Sequence, residues 1–126
     1  MSYDNERPHQ DMKARTKKFA LRVIRVYSAL PSTTVAQVIG KQLLRAGTSV
    51  GAHYREAFRS RSDAEFISKL EGGLQELDET EYWLELLVDA EIVNGERLGD
   101  LRKEVDKLTA IFTTCVKNTK SKRKGS

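Results

Sequence analysis

The sequence is poor in the residues that break helices or cross-link chains. Its only prolines are Pro8 and Pro31, and its single cysteine is Cys115. One cysteine excludes an intrachain disulfide, and a reducing cytoplasm is the simplest compartment for such a chain. The two histidines, His9 and His53, are with that cysteine too few and wrongly spaced for a zinc site. Only one Glu-x-x-His pair occurs, Glu6-Arg7-Pro8-His9, and the carboxylate di-iron arrangement of helical bundles needs two, which removes it. Neither a strand-period segment nor a Gly-rich phosphate loop nor an internal repeat is present. The longest charge-free run, residues 26–40, contains Pro31 and a Ser-Thr-Thr cluster, short of the ~18 apolar residues of a membrane span. No apolar segment follows the early basic residues, so no secretory signal is expected. Cys115 falls on an apolar seam, where a small buried hydrophobe is the default. No motif supports pairing it with a histidine for nucleophilic catalysis. The expectation is a protein without enzymatic activity, metal or cofactor.

What is present favours long helices around one core. The chain has 126 residues, 39% apolar and 32% charged. That is one domain, large enough to bury a core unaided. The net charge is +4, but it is sorted along the chain. Residues 1–62 hold 12 Lys/Arg against 4 Asp/Glu, residues 63–92 hold 1 against 10, and residues 93–126 hold 9 against 4. Such blocks predict basic and acidic surfaces that neutralise one another within the fold or across subunits, leaving a remainder for a polyanion.

Four amphipathic segments carry a helical period. In 12–30, Phe19, Val23, Val26, Tyr27 and Leu30 form a stripe, Asp11 is a candidate N-cap, and Pro31 is the stop. The second segment follows Ser32-Thr33-Thr34 and ends near Phe58. Its apolar positions are Ile39, Leu43, Ala46, Val50 and Ala57, and Gly40, Gly47 and Gly51 lie near one side. Glycine costs about 1 kcal/mol against alanine inside a helix, so this trio predicts close approach of a neighbouring helix. Ser62-Asp63-Ala64-Glu65 is a capping box that opens the third helix. The stripe there is Phe66, Leu70, Leu74, Leu77, Leu84 and Val88, interrupted by Glu81. Asn94-Gly95 punctuates its end. The fourth helix spans about 96–119, with Leu98, Leu101, Val105, Leu108, Phe112 and Cys115 alternating by three and four. The fold predicted is all-α, an antiparallel up-down-up-down four-helix bundle over 12–119. Residues 1–11 are expected to be a flexible leader and residues 120–126 a basic, disordered tail.

The basic residues are the functional candidates. Lys17, Lys18, Arg22 and Arg25 come from the first helix, with Arg15 beside them. Lys41, Arg45, Arg55, Arg59 and Arg61 come from the second helix and its exit. Lys and Arg neutralise phosphates and release counterions, and arginine adds bidentate contacts. The competing use is a solvated face paired internally with the acidic third helix. His53 reads as a packing or hydrogen-bonding residue. Leu44, Phe58, Ile67 and Leu86 flank the core stripes as candidate exposed apolar contacts for a protein partner.

The segment Gly40-Lys41-Gln42-Leu43-Leu44-Arg45-Ala46-Gly47-Thr48-Ser49-Val50-Gly51-Ala52-His53-Tyr54-Arg55-Glu56-Ala57 resembles the second-helix signature of the ribosomal-RNA intervening-sequence proteins, also called S23-type ribosomal proteins. So do Ala64-Glu65-Phe66-Ile67-Ser68-Lys69-Leu70 and Leu77-Asp78-Glu79-Thr80-Glu81-Tyr82-Trp83-Leu84-Glu85-Leu86-Leu87. The likeness covers about residues 12–120. It implies a bacterial, cytoplasmic four-helix bundle that assembles as a homopentamer and binds RNA or another nucleic acid. The chain is also similar to the accessory protein of diversity-generating retroelements, which implies a protein-binding alternative. Arg45, Ser49, Arg55, Glu56, Glu79, Thr80 and Trp83 match the family pattern. The resemblance implies structural or oligomer-contact roles for Ser49, Glu56, Glu79, Thr80 and Trp83, with Arg45 or Arg55 pairing to Glu76 or Glu79. His53 departs from the asparagine usual at its position.

Overall fold

Pro31 stops the first helix and Thr33 starts the second. The computed structural model describes residues 3–125, and side chains from 9 to 122. Helix α1 is Tyr3–Ser28 and α2 is Thr34–Phe58. At their junction Thr33 has extended backbone, and its hydroxyl accepts the Ala36 N–H at 3.3 Å. Helix α3, Asp63–Asp89, opens on Ser62, whose hydroxyl accepts the Glu65 N–H at 3.1 Å. The return arm of that capping box reaches one residue further back than expected: the Glu65 carboxylate accepts from Arg61 N–H at 3.4 Å.

Helix α3 ends in a Schellman turn. Ile92 N–H donates to Leu87 O and Glu91 N–H to Val88 O, both at 2.9 Å. Glu91 holds the left-handed position at φ 60°, where glycine is usual. The Asn94-Gly95 pair, expected to close α3, instead opens α4, Gly95–Gly125. The Asn94 side-chain oxygen accepts the Glu96 N–H at 2.9 Å. Two further boundaries differ from expectation. Helix α1 starts at Tyr3 rather than Met12, so Asp11 lies within it and is no cap. Helix α4 continues beyond Thr119 to Gly125. Of the expected leader and tail, residues 1, 2 and 126 lie outside the described residues, and the remainder continues α1 and α4.

The helices form a ring in chain order. Helices α1 and α2, α2 and α3, and α3 and α4 pack side by side, while α1 meets α4 more loosely. Among the described residues neither diagonal pair has a close backbone approach. The core draws Phe19 and Val23 from α1, Leu43 and Val50 from α2, Leu70, Leu77, Leu84 and Leu87 from α3, and Leu108 and Phe112 from α4. All are at most 1% exposed. Burying one such side chain stabilises the fold by roughly 1.5–3 kcal/mol. The α4 seam runs through Leu98, Leu101, Val105, Leu108 and Phe112 and then to Val116, with Cys115 only half-buried. A straight helix of 3.6 residues per turn drifts against a strict seven-residue repeat, which moves the last seam position by one.

The glycine trio faces α1. A Cβ on Gly47 would lie 2.7 and 2.8 Å from the two Val23 methyls, and one on Gly51 3.1 Å from the Thr16 hydroxyl. Gly40 meets Tyr27 and Leu30 in the same way. Absent side chains on α2 thus let α1 settle against its backbone.

His9, placed by the sequence in a mobile leader, is buried. Its ring stacks on Phe58, and Nδ1 shares a 2.6 Å hydrogen bond with the Tyr54 hydroxyl. Its Nε2 is buried without a partner. Burial, aided by the Lys13 charge, lowers its pKa below the ordinary 6.5. Burial raises Tyr54 to about 12.

Two predictions follow from this packing. Gly47→Ala should lower stability by about 1 kcal/mol, because overpacking by roughly 1–3 kcal/mol outweighs the helix preference of about 1 kcal/mol. Gly99→Ala, whose Cβ would meet nothing within 4 Å, should raise it by about 1 kcal/mol. Urea unfolding midpoints moving in the same direction for both would contradict the close-approach account. For His9, the unfolded chain binds the proton more tightly than the folded one. Its stabilising contribution is therefore complete above 6.5 and is lost as pH falls through the lowered folded-state pKa. The drop in thermal midpoint from about pH 7.5 to about pH 5.5 should shrink in His9→Phe. An unchanged drop would remove this role.

Candidate nucleic-acid interface

Ion pairs in this bundle join ring neighbours. Arg45 of α2 reaches Glu76 at 3.1 Å and Glu79 at 3.2 Å on α3. Lys69 of α3 meets Glu56 of α2 at 3.2 Å. Arg102 and Lys120 of α4 meet Glu81 and Glu71 of α3 at 2.6 and 3.4 Å. Glu81, the break in the α3 stripe, is therefore the anchor for Arg102, and this bond pushes the arginine's pKa up further. Glu76 is raised by burial against the opposing pull of Arg45. Of the nine basic candidates, only Arg45 is consumed. The alternative pairing of Arg55 with Glu76 or Glu79 does not occur, because Arg55 turns toward α1 and lines a groove with Lys17.

Lys17, Lys18, Arg22, Arg25, Lys41, Arg55, Arg59 and Arg61 have no carboxylate at salt-bridge distance among the described residues. They fall into separate groups. Arg15, Lys18, Arg22 and Arg25 recur by three and four along one side of α1. The first three line a groove of about 440 Å³ that also contains Asp11 and Glu104. Arg15 closes on Glu104 with two bonds of 2.8 and 2.9 Å. That fork holds Glu104 below its ordinary pKa, with Arg22 and Lys107 adding to the effect. The one α4 carboxylate in this groove is thus already engaged, and Lys18 and Arg22 stand beside it unpaired. Arg25 continues the stripe into a second hollow, where α4 adds Arg97.

On the other side of α1, Lys17 and Arg55 line a groove of about 360 Å³ with Thr16, Thr48, Gly51 and Ala52, and no carboxylate lines it. Arg61 stands at the α2–α3 turn beside Asp63. Lys41 on α2 and Arg59 just past its end are exposed and line none of these hollows. The sequence-predicted set is therefore two grooves flanking α1 plus scattered cations. Arg97 escaped the sequence analysis because it sits between Glu96 and Asp100; its only signal is its place next to the seam residue Leu98.

The remaining family-pattern residues serve the architecture. The Ser49 hydroxyl donates to Arg45 O at 2.7 Å, and the fully buried Thr80 hydroxyl donates to Glu76 O at 2.8 Å. Glu56 and Glu79 are spent in the ion pairs above. Trp83 packs against the core margin, edge-on to Tyr82, with its Nε1 buried and unpartnered. His53 fills the notch over Gly72, where a Cβ would lie 2.8 Å from its ring. Burial raises the Cys115 thiol pKa, which keeps it protonated and inert. Of the apolar contact candidates, Ile67 is buried at 6% exposure and Phe58 carries the His9 stack. Ile67 turns inward as part of the α3 core face, which corrects its expected exposure. Leu44 and Leu86 are half-buried, and among the described residues the exposed large apolar side chains are Leu21, Ile24, Val35, Val38, Phe58 and Tyr82.

Among the described residues no group of three or more His, Cys, Asp or Glu side chains is gathered to hold a metal ion, and no helix is long and apolar enough to cross a membrane. No curated protein matches the chain. The crystal structure of a protein of unknown function from the S23 ribosomal protein family of Bacteroides thetaiotaomicron VPI-5482 is similar, with 36% identity. The match covers 86% of this chain and 96% of that one, with a TM-score of 0.80. The family model described as 23S rRNA-intervening sequence protein matches residues 9–114. With the match spanning most of the bundle, this chain belongs to the 23S rRNA-intervening sequence protein family.

Proposed function

We propose that this chain is a non-catalytic, RNA-binding bundle that holds the phosphate backbone along α1. The observation that carries it is the failure of the fold to neutralise α1. Among the described residues Lys17, Lys18, Arg22 and Arg25 have no carboxylate at salt-bridge distance, while Glu71, Glu76, Glu79 and Glu81 of α3 are engaged by α2 and α4. Unpaired Lys and Arg in a groove release counterions from a polyanion, and the resulting affinity is steeply salt-dependent. Arg15 and Glu104 act as a fixed edge of the groove. The family's link to 23S rRNA supports RNA as the polyanion.

Fluorescence anisotropy against a structured RNA tests this. Affinity should fall steeply with salt, and Lys18→Ala, Arg22→Ala and Arg25→Ala combined should lower the salt slope by about 2–3. Arg45→Ala should leave affinity nearly unchanged, because its guanidinium is occupied by Glu76 and Glu79. Salt-independent binding, or binding indifferent to the triple substitution, would refute the assignment.

A homo-oligomer is the second element of the proposal, as a pentamer on the resemblance. Leu21, Ile24, Val35 and Val38, each between 39% and 58% exposed, supply apolar surface for contacts between copies or for a protein partner. Light scattering should then give about five times the 14.3 kDa protomer mass. A monomer mass at micromolar concentration would discard this element.

A further inference from the structure

We propose that the end of the bundle where α1 meets the α3–α4 turn is a pocket for one unpaired nucleobase, with its flanking phosphates on Arg25 and Arg97. This rests on the RNA-binding reading and specifies the class of RNA. The hollow measures about 270 Å³, just under the roughly 300 Å³ at which small-molecule pockets begin. It is the size for a single planar ring system. Its floor is apolar: Val26, Leu30 and Ile92 pack against the core, and Leu98 is 2% exposed. The Schellman turn fixes that floor by returning Ile92 to Leu87. The base therefore enters a preformed surface.

The rim is cationic and polar. Arg25 and Arg97 are exposed, come from different helices, and have no carboxylate at salt-bridge distance among the described residues. The Asn94 side-chain oxygen is committed to Glu96 N–H, which leaves its NH₂ to donate to an acceptor on a base edge. Arg25 is also the last member of the α1 stripe, so a strand that follows Lys18 and Arg22 is delivered to this rim. Phosphate alone has no use for an apolar floor, since burying a charge there is costly. A duplex keeps its bases stacked inside and presents only their edges. An unpaired base has a π-face that aliphatic walls and guanidinium planes accept, and single-stranded RNA is recognised in this way. The partner class is accordingly RNA with a bulge, loop or unpaired end.

The test compares two single-stranded RNA probes of equal length and phosphate count, one with all its bases and one abasic at its centre. They are titrated by anisotropy against the full chain and its Ala29→Leu variant. Ala29 is exposed at the pocket wall, so leucine there fills the hollow without removing a cation. The unaltered chain should prefer the base-bearing probe by about tenfold. Ala29→Leu should abolish that preference while keeping the abasic affinity and the salt slope, which also shows that the variant is folded. Equal binding of both probes by the unaltered chain, or a preference that survives Ala29→Leu, overturns the pocket and leaves the phosphate-binding reading standing. Binding of neither probe overturns both.

Discussion

An acidic helix in a ring of four can neutralise only the two helices beside it. Here α3 carries 9 of the 18 acidic residues against a single lysine, and stands between α2 and α4. Its carboxylates take up Arg45 on one side and Arg102 and Lys120 on the other. Helix α1 lies diagonally across the core, out of their reach. The only described carboxylate that crosses to it is Glu104, and Arg15 holds that one alone. Connectivity thus decides which cations remain available. The same charges threaded with α3 beside α1 would leave a different face uncovered. The ion pairs themselves are partly exposed and each is worth about 0–1 kcal/mol, so they set surface chemistry more than stability.

Stability comes from the close seat of α1 on α2 and from the leucine column of α3. Three glycines remove the side chains that would hold the first two helices apart, and Val23 and Thr16 occupy the space. His53 over Gly72 repeats the device between α2 and α3. In each case a bulky or branched side chain on one helix faces a gap on its neighbour. Register is then fixed by shape, which an interface of leucines alone would not ensure.

Much of this was legible in the chain. The spacing of Gly40, Gly47 and Gly51 pointed to close approach because a glycine inside a helix is a cost that needs an offset. The capping serine and the α3 stripe were equally plain. The misses have common causes. Residues 3–11 lack an apolar period and contain Pro8, so nothing local announces a helix; the burial of His9 depends on Tyr54 and Phe58, more than forty positions away. Arg45 and Arg55 are separated by about 15 Å along α2 as well as by rotation about it, and composition cannot say which of them lies level with Glu76 and Glu79 on the acidic helix. Glu81 looked like a fault in a stripe until its partner was in view. The unpaired α1 stripe follows from adjacency in space, and charge blocks foreshadow it only in outline.

The loose α1–α4 seam has a kinetic consequence. Every other helix interface joins elements consecutive in the chain, which a short turn brings together at small entropic cost. The α1–α4 contact alone requires the two terminal helices to find each other across the whole domain. It is the natural last step of assembly and the first place where the native state would breathe. Two of the cationic hollows lie between α1 and α4, so that part of the proposed binding surface borders the most easily adjusted seam of the molecule. A ligand that bridges α1 and α4, as the Arg25–Arg97 rim would require, would act as a clasp on the ring.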